Sequence, residues 1–501
     1  MKHILLFGAG KSATVLIDYL KILADKNNWS VTIADGSLDN VTSKIGNNSK
    51  LKPLEINIEH TIARKALIAT ADIVISLMPP TLHYLIALDC IEYSKNLLTA
   101  SYIDNQTLEL AEKAKEKGII FLYEMGLDPG IDHLSAMKII HKIKNIGGKI
   151  TSFISHCGGL VAPQSDDNPW HYKISWNPKN VVMAGKAGAT FLLKSVTENI
   201  NYENLFNNAN IVKLPQAETL AYYPNRDSLS YINTYGLQGI ATFIRTTLRH
   251  PEFCFGWKNI IDLKLTQEDK IYETNGMSIA QFFHTHFNKH NFNNWLDEMM
   301  MTRLNEAKET MEKLMQIMEA EEDSMKEGEM PEQSIMMVDK AGTLNHIDID
   351  EVKENAAEMV ANKMNEANIT MKQLFYLGID DSTTQINLGL CSAADVLQFI
   401  LEKKLVLQSE DKDMIVMLHE FEYEVGNKKH TLKSLLRVIG ASNTHTAMAK
   451  TVGLPLGIAA ELILKGVIQE TGLHIPILPS IYEPVLKELE KHDIVFEEYT
   501  N

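Results

Sequence analysis

The amino-acid sequence predicts an α/β protein with three parts: an N-terminal parallel sheet, an α+β domain, and a mostly α-helical domain inserted into the α+β domain. Three observations support this prediction. An apolar strand pattern at residues 4–7 runs into a glycine turn, strand and helix patterns alternate to about residue 127, and β-rich stretches at 150–157 and 414–439 flank a helix-rich region. The 501 residues are enough for several domains.

The glycine turn lies between the first predicted strand and a helical pattern. A glycine at the strand end, a second that lets the backbone approach a pyrophosphate, and an alanine that allows close helix packing are typical of a Rossmann dinucleotide-binding domain. The first N–H groups of the helix would bind the anion. The coenzyme-binding residues predicted from this turn are Gly8, Gly10, Lys11, Ser12 and Ala13. A βαβ unit that binds no nucleotide is the alternative.

The second predicted strand, residues 29–34, ends at Asp35. An acidic residue roughly 20 positions past the glycines accepts hydrogen bonds from the adenosine ribose hydroxyls, and it repels a 2′-phosphate. Asp35 therefore favours NAD as the coenzyme and leaves NADP as the alternative.

The next strands follow at about 54–57, 72–77, 96–102 and 118–123, with helical patterns between them. This alternation predicts a doubly wound parallel sheet. Ligands of such sheets lie beyond the carboxyl ends of the strands. We therefore expect Ser76, Leu77, Met78 and Ser101 to face the coenzyme.

The expected Rossmann domain covers residues 1–127 and about 441–475. An α+β domain for substrate binding and dimerisation covers 128–220 and about 410–440, and the helical insertion covers 221–409. The segment 295–365 of this insertion is rich in methionine and glutamate. Its stripe of Met311, Leu314, Met315 and Met318 at helical spacing indicates a packed face.

The composition excludes several classes of partner. The net charge is −16 and no basic stripe is present, so neither a nucleic acid nor an anionic membrane is expected to bind. No stretch approaches the ~20 apolar residues of a membrane span. Four cysteines without CxxC spacing indicate reduced thiols and no structural zinc. With no secretion signal before the first strand, we expect a cytoplasmic protein without a metal site.

Seven segments are too polar and too unusual in sequence to be explained by packing alone. They are TASY at 99–102, EMGLDPGIDH at 124–133, CGGLVAPQSDDNP at 157–169, KISW at 173–176, YPNRDS at 223–228, RTTLR at 245–249 and AMAKTVGLP at 447–455. Together they resemble the glutamate-forming saccharopine dehydrogenases, also called saccharopine reductases. The resemblance covers nearly the whole chain except roughly residues 258–370.

The resemblance implies a nicotinamide-dependent enzyme of lysine metabolism that acts on saccharopine, a secondary amine joining a lysine skeleton to glutamate. Oxidation gives an imine, water adds, and glutamate and aminoadipate semialdehyde separate. Further coenzyme contacts are implied for Leu127, Asp128, Pro129 and Trp176. Substrate contacts are implied for Ser101, Tyr102, Asp128, Cys157, Gly158, Arg226, Arg245, Thr247, Leu248 and Arg249.

The three arginines suit the substrate, because three carboxylates need cationic partners. An arginine that only caps a helix or pairs on the surface is the alternative for each of them. Catalysis also needs a base for the amine proton and for water, and we assign Asp128 and Tyr102 as catalytic residues. Desolvation after a buried strand would raise the pKa of Asp128; alternatively, Asp128 only orients the amine. Cys157 is interpreted as a lining residue and His133 as a cap or core residue.

Two other functions remain open at this point. One is a related carboxynorspermidine synthase-like or lysine-forming enzyme, against which the segments at 157–169 and 223–228 argue. The other is a non-catalytic nucleotide-binding homologue, which would be expected to have lost Asp128 or Arg226. The expected partner is a small amino-acid substrate, and a homodimer is expected as well.

Overall fold

The computed structural model describes residues 1–46, 48–207, 210–215, 218–326, 334–338, 344–348 and 365–500. The chain forms two compact units. The first contains Met1–Asp167, His171–Cys254 and Leu405–Asn501, and the second contains Asn168–Trp170 and Phe255–Lys404.

The strands, in chain order, are β1 (His3–Phe7), β2 (Ser30–Asp35), β3 (Leu51–Glu55), β4 (Ile73–Ser76), β5 (Asn96–Thr99), β6 (Ile120–Leu122), β7 (Lys149–Val161), β8 (Ala189–Leu193), β9 (Val196–Ile200), β10 (Asn210–Lys213), β11 (Thr219–Pro224), β12 (Arg226–Asp227), β13 (Thr242–Arg249), β14 (Tyr272–Glu273), β15 (Ser334–Val338), β16 (Leu344–Asp348), β17 (Leu390–Cys391), β18 (Asp413–Val425), β19 (Lys428–Ile439), β20 (Gly472–His474) and β21 (Phe496–Thr500).

The helices are α1 (Thr14–Asn27), α2 (Leu38–Ile45), α3 (Thr61–Thr70), α4 (Pro80–Tyr93), α5 (Asn105–Leu108), α6 (Ala111–Glu116), α7 (Ile131–Asn145), α8 (Pro178–Val182), α9 (Ser230–Thr234), α10 (Pro251–Asp262), α11 (Ile279–His290), α12 (Trp295–Lys326), α13 (365–377), α14 (Ala393–Lys404), α15 (Ala447–Leu464) and α16 (Pro479–Glu490). Short 3₁₀ turns lie at Lys11–Ala13, Pro163–Ser165 and Tyr202–Asn204.

The first sheet of unit one is parallel and has the order β20-β6-β5-β4-β1-β2-β3. The predicted α/β fold is thus confirmed. The central strands are apolar and buried on both faces because helices cover both sides of a parallel sheet. The seventh strand, β20, comes from the C-terminal part of the chain and pairs with β6.

The second sheet of unit one has ten strands, with the main order β10-β11-β13-β7-β18-β19-β21. β18 pairs antiparallel with both β7 and β19, so the two predicted β-rich stretches do lie side by side. The expected start of the helical insertion at residue 221 is wrong. β11 and β13 pair in this sheet, and β13 lies parallel to β7, so the mainly helical unit begins only after Cys254.

The apolar helix α15 packs against α1 in the core of unit one. A Cβ at Gly453 would lie 3.0 Å from Leu16, and the Tyr19 hydroxyl donates a 2.6 Å hydrogen bond to Glu461. The expectation that no segment is long and apolar enough for a membrane span is wrong, since α15 meets that criterion by length and composition. The helix is 72% buried inside the fold, as is common for a core helix.

Unit two contains the long helix α12. The exposure of two of its methionines contradicts the predicted packed methionine face. Met311 and Met315 are each 53% exposed, so this part of the methionine stripe does not form a packed face. The side chains of Leu314 and Met318, and residues 349–364 of the methionine- and glutamate-rich segment, lie outside the described part of the chain.

We expect Gly8→Ala to lower the free energy of unfolding by about 1–3 kcal/mol. Gly8 has a φ of +99°, and a Cβ there would lie 3.0 Å from the backbone of Leu77. Gly10→Ala is the matched control, because Gly10 has a φ of −67° and no heavy atom lies within 4 Å of its Cβ position. Urea unfolding of both variants checks this, and equal losses would contradict it.

Candidate functional site

The glycine turn has the shape expected for a coenzyme pyrophosphate site. Gly8 N–H donates to Ala34 O at 2.9 Å, and Leu77 N–H donates to Phe7 O at 2.8 Å, which joins the ends of three strands. The space above Gly10 is open. No side chain caps the turn Lys11–Ala13 that leads into α1, so its first N–H groups are suited to an anion. These residues fit a dinucleotide.

Asp35 closes the same turn from the end of β2. Its carboxylate accepts hydrogen bonds from Ala9 N–H at 2.7 Å and from Ser37 N–H at 2.9 Å. Lys44 Nζ donates to Ala9 O at 2.8 Å, so a cation lies within the same turn. Burial lowers the pKa of this lysine, and the Asp35 charge opposes that shift.

His83 links the predicted coenzyme-facing strand ends, and the sequence reasoning missed it. Its Nδ1 lies 2.9 Å from Ser76 Oγ, and its Nε2 lies 2.7 Å from Ser101 Oγ. Burial lowers the pKa of His83 to about 4, so the imidazole is neutral near pH 7. The sequence signal was a lone histidine in the first turn of α4, facing two serines at neighbouring strand ends. Leu77 and Met78 are half-buried beside these serines along the chain.

Asp128 follows β6 in the chain and lies next to two charged groups, Arg245 and Asp132. Arg245 Nη2 donates to Asp128 Oδ1 at 2.5 Å and to Asp132 Oδ2 at 3.1 Å. Gly130 N–H donates to the second oxygen of Asp132 at 2.5 Å. Burial and the nearby Asp132 charge raise the pKa of Asp128, and Arg245 opposes this shift. Asp132 has a lowered pKa: burial acts against this shift, but the charges of His133 and Arg245 outweigh it.

Tyr102 lies between two arginines. Arg245 Nη2 donates to its hydroxyl at 3.3 Å, and the guanidinium carbons of Arg226 and Arg245 lie 5.3 and 5.7 Å from its ring centre. Burial raises the pKa of Tyr102, so the phenol keeps its proton. Leu127 and Pro129, which flank Asp128, are buried.

Cys157 lies on β7 between the Asp128 cluster and Arg249. Burial and the charges of Asp128 and Asp132 raise the pKa of the thiol, although Arg249 and Arg245 act in the opposite direction. A Cβ at the next residue, Gly158, would lie 2.6 Å from Leu248 Cβ. This glycine therefore allows β7 and β13 to approach closely. Thr247 pairs with Cys157 across the two strands.

Arg249 is 4% exposed, yet its contacts are carbonyl oxygens and aromatic rings. Nη1 donates to Leu248 O at 2.8 Å, and the guanidinium carbon lies 5.2 Å from the Tyr172 ring centre. No carboxylate pairs with it among the described residues, and its buried Nε has no partner there. Trp176 donates from Nε1 to Tyr172 Oη at 3.1 Å, so Trp176 is linked to the Arg249 side of the site.

Arg226 differs from the other two arginines because it is exposed. Its φ is +54°, and its guanidinium lies over Tyr102. The structure therefore brings together Tyr102, Asp128, Cys157 and all three arginines.

His133 is a fully buried hydrogen-bonded residue, in agreement with the core interpretation. Its Nε2 lies 2.8 Å from Glu124 Oε2, and its Nδ1 lies 2.5 Å from Tyr235 Oη. Tyr231 also donates to Glu124 Oε2, at 2.9 Å. The sequence reasoning assigned no role to either tyrosine or to Glu124. Within the described ranges, no group of three or more acidic, histidine or cysteine side chains has the arrangement of a metal site.

This fold and glycine turn are those of a nicotinamide-dependent oxidoreductase, and comparison with known proteins identifies the family. Residues 4–122 match the saccharopine dehydrogenase NADP binding domain, and residues 126–495 match the saccharopine dehydrogenase C-terminal domain. The chain belongs to the saccharopine dehydrogenase family, as the seven segments predicted. The comparisons give no support to the alternative functions.

Saccharopine dehydrogenase [NADP(+), L-glutamate-forming] of Saccharomyces cerevisiae is 30% identical over 100% of this chain and 99% of that protein. The mitochondrial alpha-aminoadipic semialdehyde synthase of Bos taurus is also 30% identical, over 99% of this chain but only 47% of its own length. The chain thus spans about half the length of such relatives. The apo saccharopine dehydrogenase (L-Glu forming) of S. cerevisiae superposes with a TM-score of 0.77 and 26% identity, over 100% of both chains.

The comparisons do not support the expected preference for NAD. The matched N-terminal domain is described as NADP binding, and the names of the fungal relatives specify NADP(+). The sequence analysis and the comparisons agree that the coenzyme is a nicotinamide dinucleotide.

We expect the His83→Asn variant to lose less stability than the wild type between pH 7 and pH 5. An unfolded histidine has a pKa of about 6.5, whereas folded His83 has one of about 4. The unfolded state therefore gains protons first as the pH falls, and this lowers the free energy of unfolding of the wild type by about 2 kcal/mol at pH 5. Unfolding of both proteins at the two pH values checks this. Equal pH slopes would show that His83 is not held neutral.

Proposed function

We propose that this protein oxidises saccharopine to glutamate and aminoadipate semialdehyde with a nicotinamide coenzyme, and that it catalyses the reverse reaction. The single observation that supports this most strongly is Arg249. A guanidinium that is 4% exposed and has no carboxylate partner in the described chain is costly unless a ligand supplies the anion. Saccharopine has three carboxylates to supply.

The other cationic groups suit the remaining parts of this substrate. Arg226 is exposed and has no ion pair among the described residues, so it is available for a second carboxylate. Arg245 is already paired with Asp128 and Asp132, which supports a role in holding Asp128 rather than in binding a substrate carboxylate directly. Arg226 and Arg249 are therefore the two guanidiniums without an ion pair in the described chain, and they are the proposed partners of substrate carboxylates.

Asp128 is the proposed base because its side chain is 15% exposed and its pKa is raised by burial. It accepts the proton of the substrate ammonium, which leaves a neutral amine. A nicotinamide coenzyme held at the turn of residues 8–13 would supply the hydride acceptor for the carbon adjacent to this nitrogen. Asp128 releases this proton to solvent and then accepts a proton from the water that adds to the iminium carbon. The C–N bond of the resulting carbinolamine breaks as Asp128 returns that proton to the leaving amine, which releases glutamate and the aldehyde. One saccharopine, one water and one oxidised coenzyme thus give two products, one reduced coenzyme and one proton.

Tyr102 and Cys157 serve as neutral groups in this proposal. Burial raises the pKa of both, which supports a phenol that donates a hydrogen bond and a thiol that lines the pocket. No step needs a covalent bond to the thiol. Ser101, Gly158, Thr247 and Leu248 complete the proposed substrate contacts.

The proposed coenzyme is NAD in preference to NADP. A 2′-phosphate at the end of β2 would lie against the Asp35 carboxylate, which supports NAD. Lys44 is the cation of the same turn that would offset this repulsion, and the names of the relatives favour NADP. A direct comparison of the two coenzymes is therefore needed.

We further propose a homodimer in the cytoplasm, with an amino-acid substrate rather than a nucleic acid or a membrane as its partner. The four described cysteines are free and buried, which supports a reducing location. The names of the mammalian relatives include the word mitochondrial, so location is best checked by microscopy of the tagged chain.

The purified protein should reduce coenzyme when saccharopine is added, because the proposed reaction transfers one hydride per substrate. The absorbance of the reduced nicotinamide measures the rate with NAD and with NADP, and kcat/KM should be higher with NAD. No saccharopine-dependent absorbance with either coenzyme would refute the function. A higher kcat/KM with NADP would refute only the coenzyme preference.

Arg249→Met should lower kcat/KM for saccharopine by tens to hundreds of fold, since a charge-assisted carboxylate contact contributes about 2–3 kcal/mol. Its Tm should be unchanged or raised, because a buried cation without a carboxylate partner is removed. Arg303→Met, in unit two, is the control substitution, since Arg303 already pairs with Glu306 and Glu366. A lower Tm with unchanged kcat/KM would make Arg249 a structural residue.

A further inference from the structure

The Tyr231 ring lies against the guanidinium of Arg245, and this guanidinium pairs with the Asp128 carboxylate. The Arg245 guanidinium carbon lies 4.5 Å from the Tyr231 ring centre, nearer than the 5.7 Å to the Tyr102 ring. A cation over an aromatic face is attracted by the ring quadrupole, and the attraction is larger when both groups are desolvated. Arg245 is 4% exposed, so this contact is nearly dry.

The Tyr231 ring is itself fixed by its surroundings. Its hydroxyl donates to Glu124 Oε2 at 2.9 Å, and the His133 ring stacks on it with ring centres 5.3 Å apart at an interplanar angle of 27°. Glu124 is 5% exposed and also accepts from His133. The ring therefore has one orientation, which is set by Glu124 and His133.

We propose that Tyr231 is a positioning residue whose ring keeps Arg245 Nη2 on Asp128 and thereby holds the Asp128 carboxylate in its ionised form. This inference deepens the proposed function and rests on it for the base role of Asp128. The ring acts through Arg245, and the hydroxyl acts only by fixing the ring.

The direction of the effect follows from the charges around Asp128. The titratable and charged groups that face it are Asp132 and His133 from α7, Arg245 from β13, Tyr102 after β5 and Cys157 from β7. Arg245 lowers the pKa of Asp128, whereas burial and Asp132 raise it. A loosened Arg245 therefore raises the pKa of Asp128, and the base is lost at a higher pH.

The test is the pH profile of kcat/KM for saccharopine in Tyr231→Leu and Tyr231→Phe. Loss of the ring in Tyr231→Leu should move the acid limb upward by about half to one pH unit, with the high-pH plateau and the coenzyme Kd nearly unchanged. Tyr231→Phe keeps the ring and should retain most of the wild-type profile. Tyr222→Leu is the matched control, since its ring packs on His156 rather than on a guanidinium.

An unmoved acid limb in Tyr231→Leu would overturn the proposal. Equal shifts in Tyr231→Phe and Tyr231→Leu would also overturn it, since the hydroxyl and not the ring would then matter. Tyr231→Met is the second ring-free variant if Tyr231→Leu does not fold, as judged by circular dichroism.

A second readout separates this inference from the proposed function. Infrared titration of the protonated carboxyl band, assigned by its loss in Asp128→Asn, measures the ionisation of Asp128 without turnover. If the wild type does not oxidise saccharopine, the proposed function fails, yet the titration midpoint should still rise in Tyr231→Leu. A midpoint that does not rise overturns the role of Tyr231 whatever the activity.

Discussion

The contact of one guanidinium with two buried carboxylates is the interaction on which the site depends. Arg245 comes from β13, Asp128 from the turn after β6, and Asp132 from the first turn of α7. Two carboxylates at this separation would repel each other strongly in a buried site, so both could not remain there without the cation. The contact therefore joins the coenzyme-binding sheet to the ten-stranded sheet within one unit, and it compensates the charge of Asp128, the proposed base.

Close backbone packing makes this contact possible. A Cβ at Gly158 would lie 2.6 Å from Leu248, so glycine at this position allows the close approach of β7 and β13 here. A Cβ at Gly130 would overlap the Gly126 backbone at 2.0 Å, and this tight turn brings Asp132 near Asp128. The glycines of the two motifs therefore determine how near the charged groups approach, while the charged residues determine the chemistry.

Parts of the sequence-based prediction succeeded because they depend on local patterns. Strand periodicity and the glycine turn predicted the parallel sheet, and the two β-rich stretches assigned to one α+β domain do pair, as β7 and β18. The predicted start of the helical insertion was too early because β11 and β13 are separated by turns and the short helix α9, so they do not read as one continuous hairpin. The methionine stripe failed because periodicity identifies a face of a helix but does not show whether another element covers that face, and Met311 is exposed.

The sequence by itself determined the family and the coenzyme fold, because motifs and periodicity are properties of neighbouring residues. Only the tertiary structure decided what each charged group does. Arg226, Arg245 and Arg249 are equivalent candidates in the sequence, but Arg245 is paired with aspartates, Arg249 is buried without a carboxylate partner in the described chain, and Arg226 is exposed. Burial and charge pairing depend on strands far apart in the chain, and such contacts leave no local pattern to read.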